Sequence, residues 1–113
     1  MNIESDEEIG KKFDTDKPMW SLLPLKAIEQ IVIVMTYGAR KYGKHNWKKL
    51  DDFHDRYESA IGRHWTKWQS KEPYDSDFFE RYGIKVSHLA MLATNAVFLL
   101  WKEIEDKAPW TQK

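Results

Sequence analysis

Apolar residues recur at helical spacing along most of this chain. Ile28, Ile31, Val32, Met35, Ala39 and Tyr42 fall three or four apart, so they share one face and predict a helix over about 24–42. Pro24 suits a first helical turn, and Gly43 suits a C-terminal stop. A second stripe, Phe53, Tyr57, Ala60, Ile61, Trp65 and Trp68, predicts a helix to about residue 69, with Asp51 or Asp52 placed to cap it. A third helix is expected over about 84–106. Its centre, Leu89 to Trp101, is apolar almost all the way round, a pattern that predicts burial on every side. Three helices cannot easily enclose one of their own, so the pattern implies a homo-oligomer packed across the third.

The stretches between these helices are polar. Residues 70–83 carry loop chemistry and several carboxylates, with a short turn of helix expected at about 76–81. Lys17 to Pro24 is bracketed by prolines and reads as extended. No strand-like alternation occurs. The fold class is therefore all-α, a small antiparallel bundle of three main helices. The expected organisation is a flexible N-terminal segment over 1–16, a helical domain over 17–108 and a tail over 109–113.

Composition narrows the function. The 113 residues carry 18 Lys+Arg and 18 Asp+Glu. A net charge of zero argues against a coat for long nucleic acid, which would be basic, and leaves a small anion as the partner. With no cysteine, disulfides, thiolate metal sites and a Cys nucleophile are excluded. The first twelve residues are acidic and polar, and no apolar run is clean enough to span a bilayer. A soluble, cytoplasmic protein is the expectation. Aromatic residues make up 14% of the chain and include six Trp, more than a core of this size needs, so stacking surfaces or interfaces are implied.

The richest chemistry lies in Tyr37-Gly-Ala-Arg-Lys-Tyr-Gly-Lys-His-Asn-Trp47. Glycines let the backbone turn sharply, while Lys41 and its neighbours offer charge to an anion and Tyr37, Tyr42 and Trp47 offer flat faces to a base. A plain interhelical loop needs only one glycine, so this reads as a corner that handles nucleotides or phosphates. A carboxylate cluster, Glu72, Asp75, Asp77 and Glu80, has the chemistry of a Mg²⁺ site or of a solvated acidic loop. His88 and Asn95, seven apart, lie on one helix face in apolar surroundings. They either hydrogen-bond to neighbouring helices or line a cleft, His88 as ligand or base and Asn95 against a base edge or sugar. Arg63 has the fork geometry for a phosphate or pairs with a carboxylate such as Glu72, and His64 beside it reads equally as half-buried core. Lys17 and Trp20 alone carry little signal. No phosphate-loop, dinucleotide or H-E-x-x-H motif is present, and His54-Asp55 has no matching constellation around it.

Taken together these residues resemble the phage-associated dATP/dGTP diphosphohydrolase N-terminal domain family. The resemblance covers roughly residues 11–101. It rests on Lys17-Pro18 with Leu22-Leu23-Pro24, on the Tyr37–Trp47 block, on Ala60, Arg63, His64 and Trp68, on Glu72 and Asp75, and on His88-Leu89-Ala90 with Asn95. Lys71-Glu72 stands where family members usually carry Gly-Glu, and Met91 stands where a second His often follows the first. The resemblance implies a purine deoxynucleotide phosphohydrolase of the infected bacterial host's cytoplasm. It implies that Glu72, Asp75 and His88 hold Mg²⁺ or Mn²⁺ and form the catalytic group. Lys17, Lys41 and Arg63, with His64, would meet phosphates; Asn46 and Trp47, with Tyr37, Tyr42 and Asn95, would meet base or sugar. The alternative is an oligomeric phage protein that binds and sequesters a nucleotide without cutting it. A weaker third reading is a partner-binding helical bundle.

Overall fold

A computed structural model describes residues 16–106. Within them the chain forms four α-helices and no strand: α1 (Leu25–Tyr42), α2 (Phe53–Gln69), α3 (Ser76–Tyr82) and α4 (His88–Glu105). Short 3₁₀ turns at Trp20–Leu22 and Asn46–Lys49 precede α1 and α2. The described residues are all-α, as the periodicity predicts, and α3 lies where a short turn of helix is expected between the long helices.

The helix ends follow local chemistry. Gly43 ends α1 at φ 96°, a value glycine adopts freely, and its N–H donates to the Ala39 carbonyl at 2.8 Å. At the end of α2, the Lys71 N–H donates to the Trp68 carbonyl and the Glu72 N–H to the Lys67 carbonyl. This crossed pair is a Schellman cap, which places the residue after the cap in the left-handed region. That residue is Lys71, at φ 64°. A glycine would have the conformational freedom the turn demands; lysine occupies it under strain.

Two expectations are corrected here. Asp52 precedes α2 but makes no side-chain cap, since its own backbone is left-handed at φ 54°. The last helix starts at His88 rather than at 84. The Asp75 N–H donates to the Val86 carbonyl at 2.9 Å, which commits 84–86 to the loop, and Ser87 caps the helix by accepting from the Leu89 N–H.

Helix α4 packs mainly along α2 and also against α1. Its inner stripe is His88, Ala90, Thr94 and Phe98. Leu89, Val97, Leu100 and Ile104 remain exposed on the single chain, so the expectation of burial on every side is not met within one copy. Trp47 is held inward: its ring stacks on Phe98 at 4.3 Å and meets the edge of Trp101 at 4.9 Å. The buried Tyr57 hydroxyl donates to the Trp47 carbonyl at 2.8 Å. Tyr37 packs against Phe78 and Tyr82, tying α1 to α3.

Two outcomes follow from these contacts. Burial pushes the Tyr57 phenol up from 10.0 to about 12. Below pH 10 both folded and unfolded chains keep this proton. Between pH 10 and 12 the unfolded chain ionises first, so stability falls as pH rises through that window; denaturant unfolding across it should show the fall, and Tyr57→Phe should flatten it. Lys71→Gly relieves the left-handed strain and should raise unfolding stability by up to about 1 kcal/mol, measured by urea titration.

Candidate metal centre and phosphate cleft

Three side chains from three parts of the chain converge at one point. His64 comes from the middle of α2, Asp75 from the residue that caps α3, and His88 from the first position of α4. Their candidate donor atoms lie within 4.8 Å of one another, the group of this kind found among the described residues. The Nδ1 atoms of His64 and His88 are 3.0 Å apart. The Asp75 Oδ2 lies 3.5 Å from the first and 3.7 Å from the second. Its Oδ1 accepts from the Phe78 N–H at 2.9 Å, so capping α3 and facing the histidines are done by opposite oxygens.

His88 is only 1% exposed. Its outer nitrogen, Nε2, lies 2.8 Å from Glu72 Oε2. With Glu72 ionised, Nε2–H is the donor, so Nδ1 is left with its lone pair facing His64. The 3.0 Å contact then requires a proton on His64 Nδ1. Burial pushes the His64 pKa below its ordinary value; the Asp75 carboxylate opposes that shift and His88 adds to it. The neutral ring that results is the form that ligates a metal.

The residues fit a divalent cation. Two imidazole nitrogens and a carboxylate oxygen drawn together from three parts of the chain are donor types that would hold such an ion. Exchange of the His64 proton from Nδ1 to Nε2 would point both lone pairs and the carboxylate inward without net proton loss. Glu72 is then the outer partner that fixes the His88 tautomer, a common arrangement behind histidine ligands. The Schellman cap supplies its position. Of the expected set Glu72, Asp75 and His88, the fold brings Asp75 and His88 to the centre and sets Glu72 behind His88, while His64 takes the remaining inner place.

A cleft of about 370 Å³ opens beside this cluster, reaching both His64 and Asp75. Arg63, Lys67 and Arg81 line it. Arg63 and Lys67 stand four apart on α2, one above the other on its surface, and Arg81 reaches in from α3. Lys67 and Arg81 were missed from sequence. The first had a signal, its i,i+4 spacing from Arg63; the second had none before α3 was placed. Asn46, Trp47, Tyr42 and Asn95 line a second, more enclosed cavity of about 230 Å³. Tyr37 lies in the packing between α1 and α3. Lys41 sits over the exposed Tyr42 ring at 4.8 Å, and Lys17 lies in the leading segment; neither lines the two cavities.

The dATP/dGTP diphosphohydrolase, N-terminal family matches residues 7–111, almost the whole chain. The chain belongs to this family. A relative from Salmonella phage PMBT28, named dATP/dGTP diphosphohydrolase, is 28% identical over 92 residues, covering 81% of this chain and 29% of its own length. The chain thus spans less than a third of that relative. No solved structure matches it. In this member of the dATP/dGTP diphosphohydrolase N-terminal family, Met91 lines both cavities. No described helix is long and apolar enough to cross a membrane.

Asp75 carries a structural duty separable from its place in the cluster. Asp75→Ala removes the α3 cap and should cost about 1 kcal/mol. Asp75→Asn keeps a capping oxygen and should recover most of that loss in the same urea titration.

Proposed function

We propose that this chain binds a purine deoxynucleotide and cleaves one of its phosphoanhydrides with a divalent cation, in the cytoplasm of the infected host. The observation that carries the reading is the convergence of His64, Asp75 and His88 beside a cleft lined by Arg63, Lys67 and Arg81. The phage relative's name supports the substrate class. Two imidazoles with one carboxylate favour Mn²⁺ or Zn²⁺ over Mg²⁺, which prefers an all-oxygen shell.

When bound, such a cation supplies Lewis-acid polarisation of a phosphoryl oxygen and lowers the pKa of a bound water. The chain's own residues do the rest. Arg63 offers a bidentate fork to phosphate oxygens, and Lys67 and Arg81 add point charges that offset the charge of a polyphosphate. Glu72 holds the His88 ring in one tautomer. Hydrolysis forms a bond from a water oxygen to phosphorus and breaks the bridging P–O bond, and the water's proton passes to solvent. Leu89, Val97, Leu100 and Ile104 on the outer face of α4 support association of copies through that helix.

The test is a panel of deoxynucleoside triphosphates with Mn²⁺, Zn²⁺ or Mg²⁺, read by chromatography of the products. Turnover of dATP or dGTP is expected, strongest with Mn²⁺ or Zn²⁺. His64→Ala, Asp75→Ala and His88→Ala should each abolish it. Glu72→Ala should lower it by only about 10–100-fold, as expected for an outer-shell partner. Arg63→Ala should act mainly on KM. Tight binding with the nucleotide left intact would instead make the chain a sequestering protein.

A further inference from the structure

The cationic cleft and the enclosed cavity are neighbours. Val34, Gly38 and Met91 line both. Two of these come from consecutive turns of α1, and Met91 faces them from α4. At Gly38 a Cβ would meet nothing within 4 Å, so the space beside its backbone is open. Gly38 is nevertheless mid-helix, where glycine weakens the helix relative to alanine. Its backbone needs no positive φ. What sets Gly38 apart from the likewise open, mid-helix Gly62 is that it lies where the two cavities meet.

The two cavities differ in chemistry. The cleft carries Arg63, Lys67 and Arg81 beside the His–Asp cluster. The enclosed cavity is walled by aromatic and aliphatic side chains, Tyr42, Trp47, Tyr57 and Phe98 among them, with Asn46 and Asn95 as its amides. The Asn95 amide nitrogen donates to the Met91 carbonyl at 2.7 Å, which leaves its oxygen as the acceptor for a ligand N–H. An apolar cavity of roughly 150 Å³ accepts benzene; at about 230 Å³ this one has room for a two-ring base.

We propose that Gly38 is the saddle between a phosphate half-site and a base half-site, so that the nucleobase lies in the Trp47–Asn95 cavity while the phosphates lie in the cationic cleft. The missing side chain at 38 keeps the passage between them open for the sugar. Asn95 accepts a hydrogen bond from a base N–H, and the aromatic walls supply faces for stacking. This inference rests on the phosphate cleft proposed above and adds the base position and the residue that controls access to it.

The experiment compares two probes by calorimetry on the full chain, dATP and inorganic tripolyphosphate, each as its uncleavable methylene-bridged analogue and each with Mn²⁺. Wild type should bind both, with dATP at least tenfold tighter. Gly38→Leu should weaken dATP far more than tripolyphosphate and bring dATP down to the tripolyphosphate level. Because position 38 is helical and open, its melting temperature should not fall. Asn95→Ala, which leaves position 38 unchanged and lies outside the cleft lining, should weaken dATP several-fold and tripolyphosphate not at all. Should Gly38→Leu fail to fold, Asn95→Ala carries the decision alone. Undiminished dATP binding by the folded variants overturns the base half-site and leaves the cleft standing. Equal weakening of both probes also overturns it, since the two halves would then not be separate. Failure of wild type to bind tripolyphosphate or dATP overturns the phosphate cleft itself, and this inference with it.

Discussion

One buried imidazole organises this protein. His88 sits at the first position of α4 with almost no solvent access, where each ring nitrogen must find a partner or carry a desolvation cost of about 1–3 kcal/mol. Glu72 satisfies one nitrogen and His64 the other. Those two partners stand at the end of α2 and in its middle, so satisfying one ring holds α4 against two levels of α2. Asp75 closes the arrangement from the α3 side. The packing of the helices and the assembly of the candidate metal centre are thus one event, which is why residues 24 and 16 apart from His88 meet on its ring.

The helices themselves were legible in the chain, and the reason is local. The α1 stripe and its Gly43 stop, the α2 stripe and the short α3 all depend on neighbours within a few turns. The start of α4 was not legible, because apolar Ile84 and Val86 fit a helical pattern as well as a loop. What decided them is a hydrogen bond from Asp75, eleven positions earlier. The burial of α4 on all sides was expected from packing across copies, and one copy leaves its outer face exposed. Periodicity reports how much apolar surface a helix has, not whether its own chain can cover it.

The site was legible in kind more than in arrangement. Asp75 and His88 do come together, with His64 beside them and Glu72 on the far nitrogen of His88. Both residue types suit a metal, and only the fold shows which nitrogen of His88 each one faces. The Tyr37–Trp47 block divides similarly. Its glycines and Asn46 shape the turn and a cavity wall, Trp47 both lines that cavity and anchors on Phe98, and Tyr37 went to packing rather than to a ligand site. Aromatic residues serve both purposes, and composition cannot separate them.

The hydrogen bond from the Asp75 N–H to the Val86 carbonyl closes residues 75–86 into a clip whose two ends meet. The residues between those ends, all of α3 and Arg81 among them, are held by the clip, by the Asp75 cap and by Tyr37 packing on Phe78 and Tyr82. A change of length inside the clip would therefore act first on α3 and on the wall of the cleft where Arg81 stands.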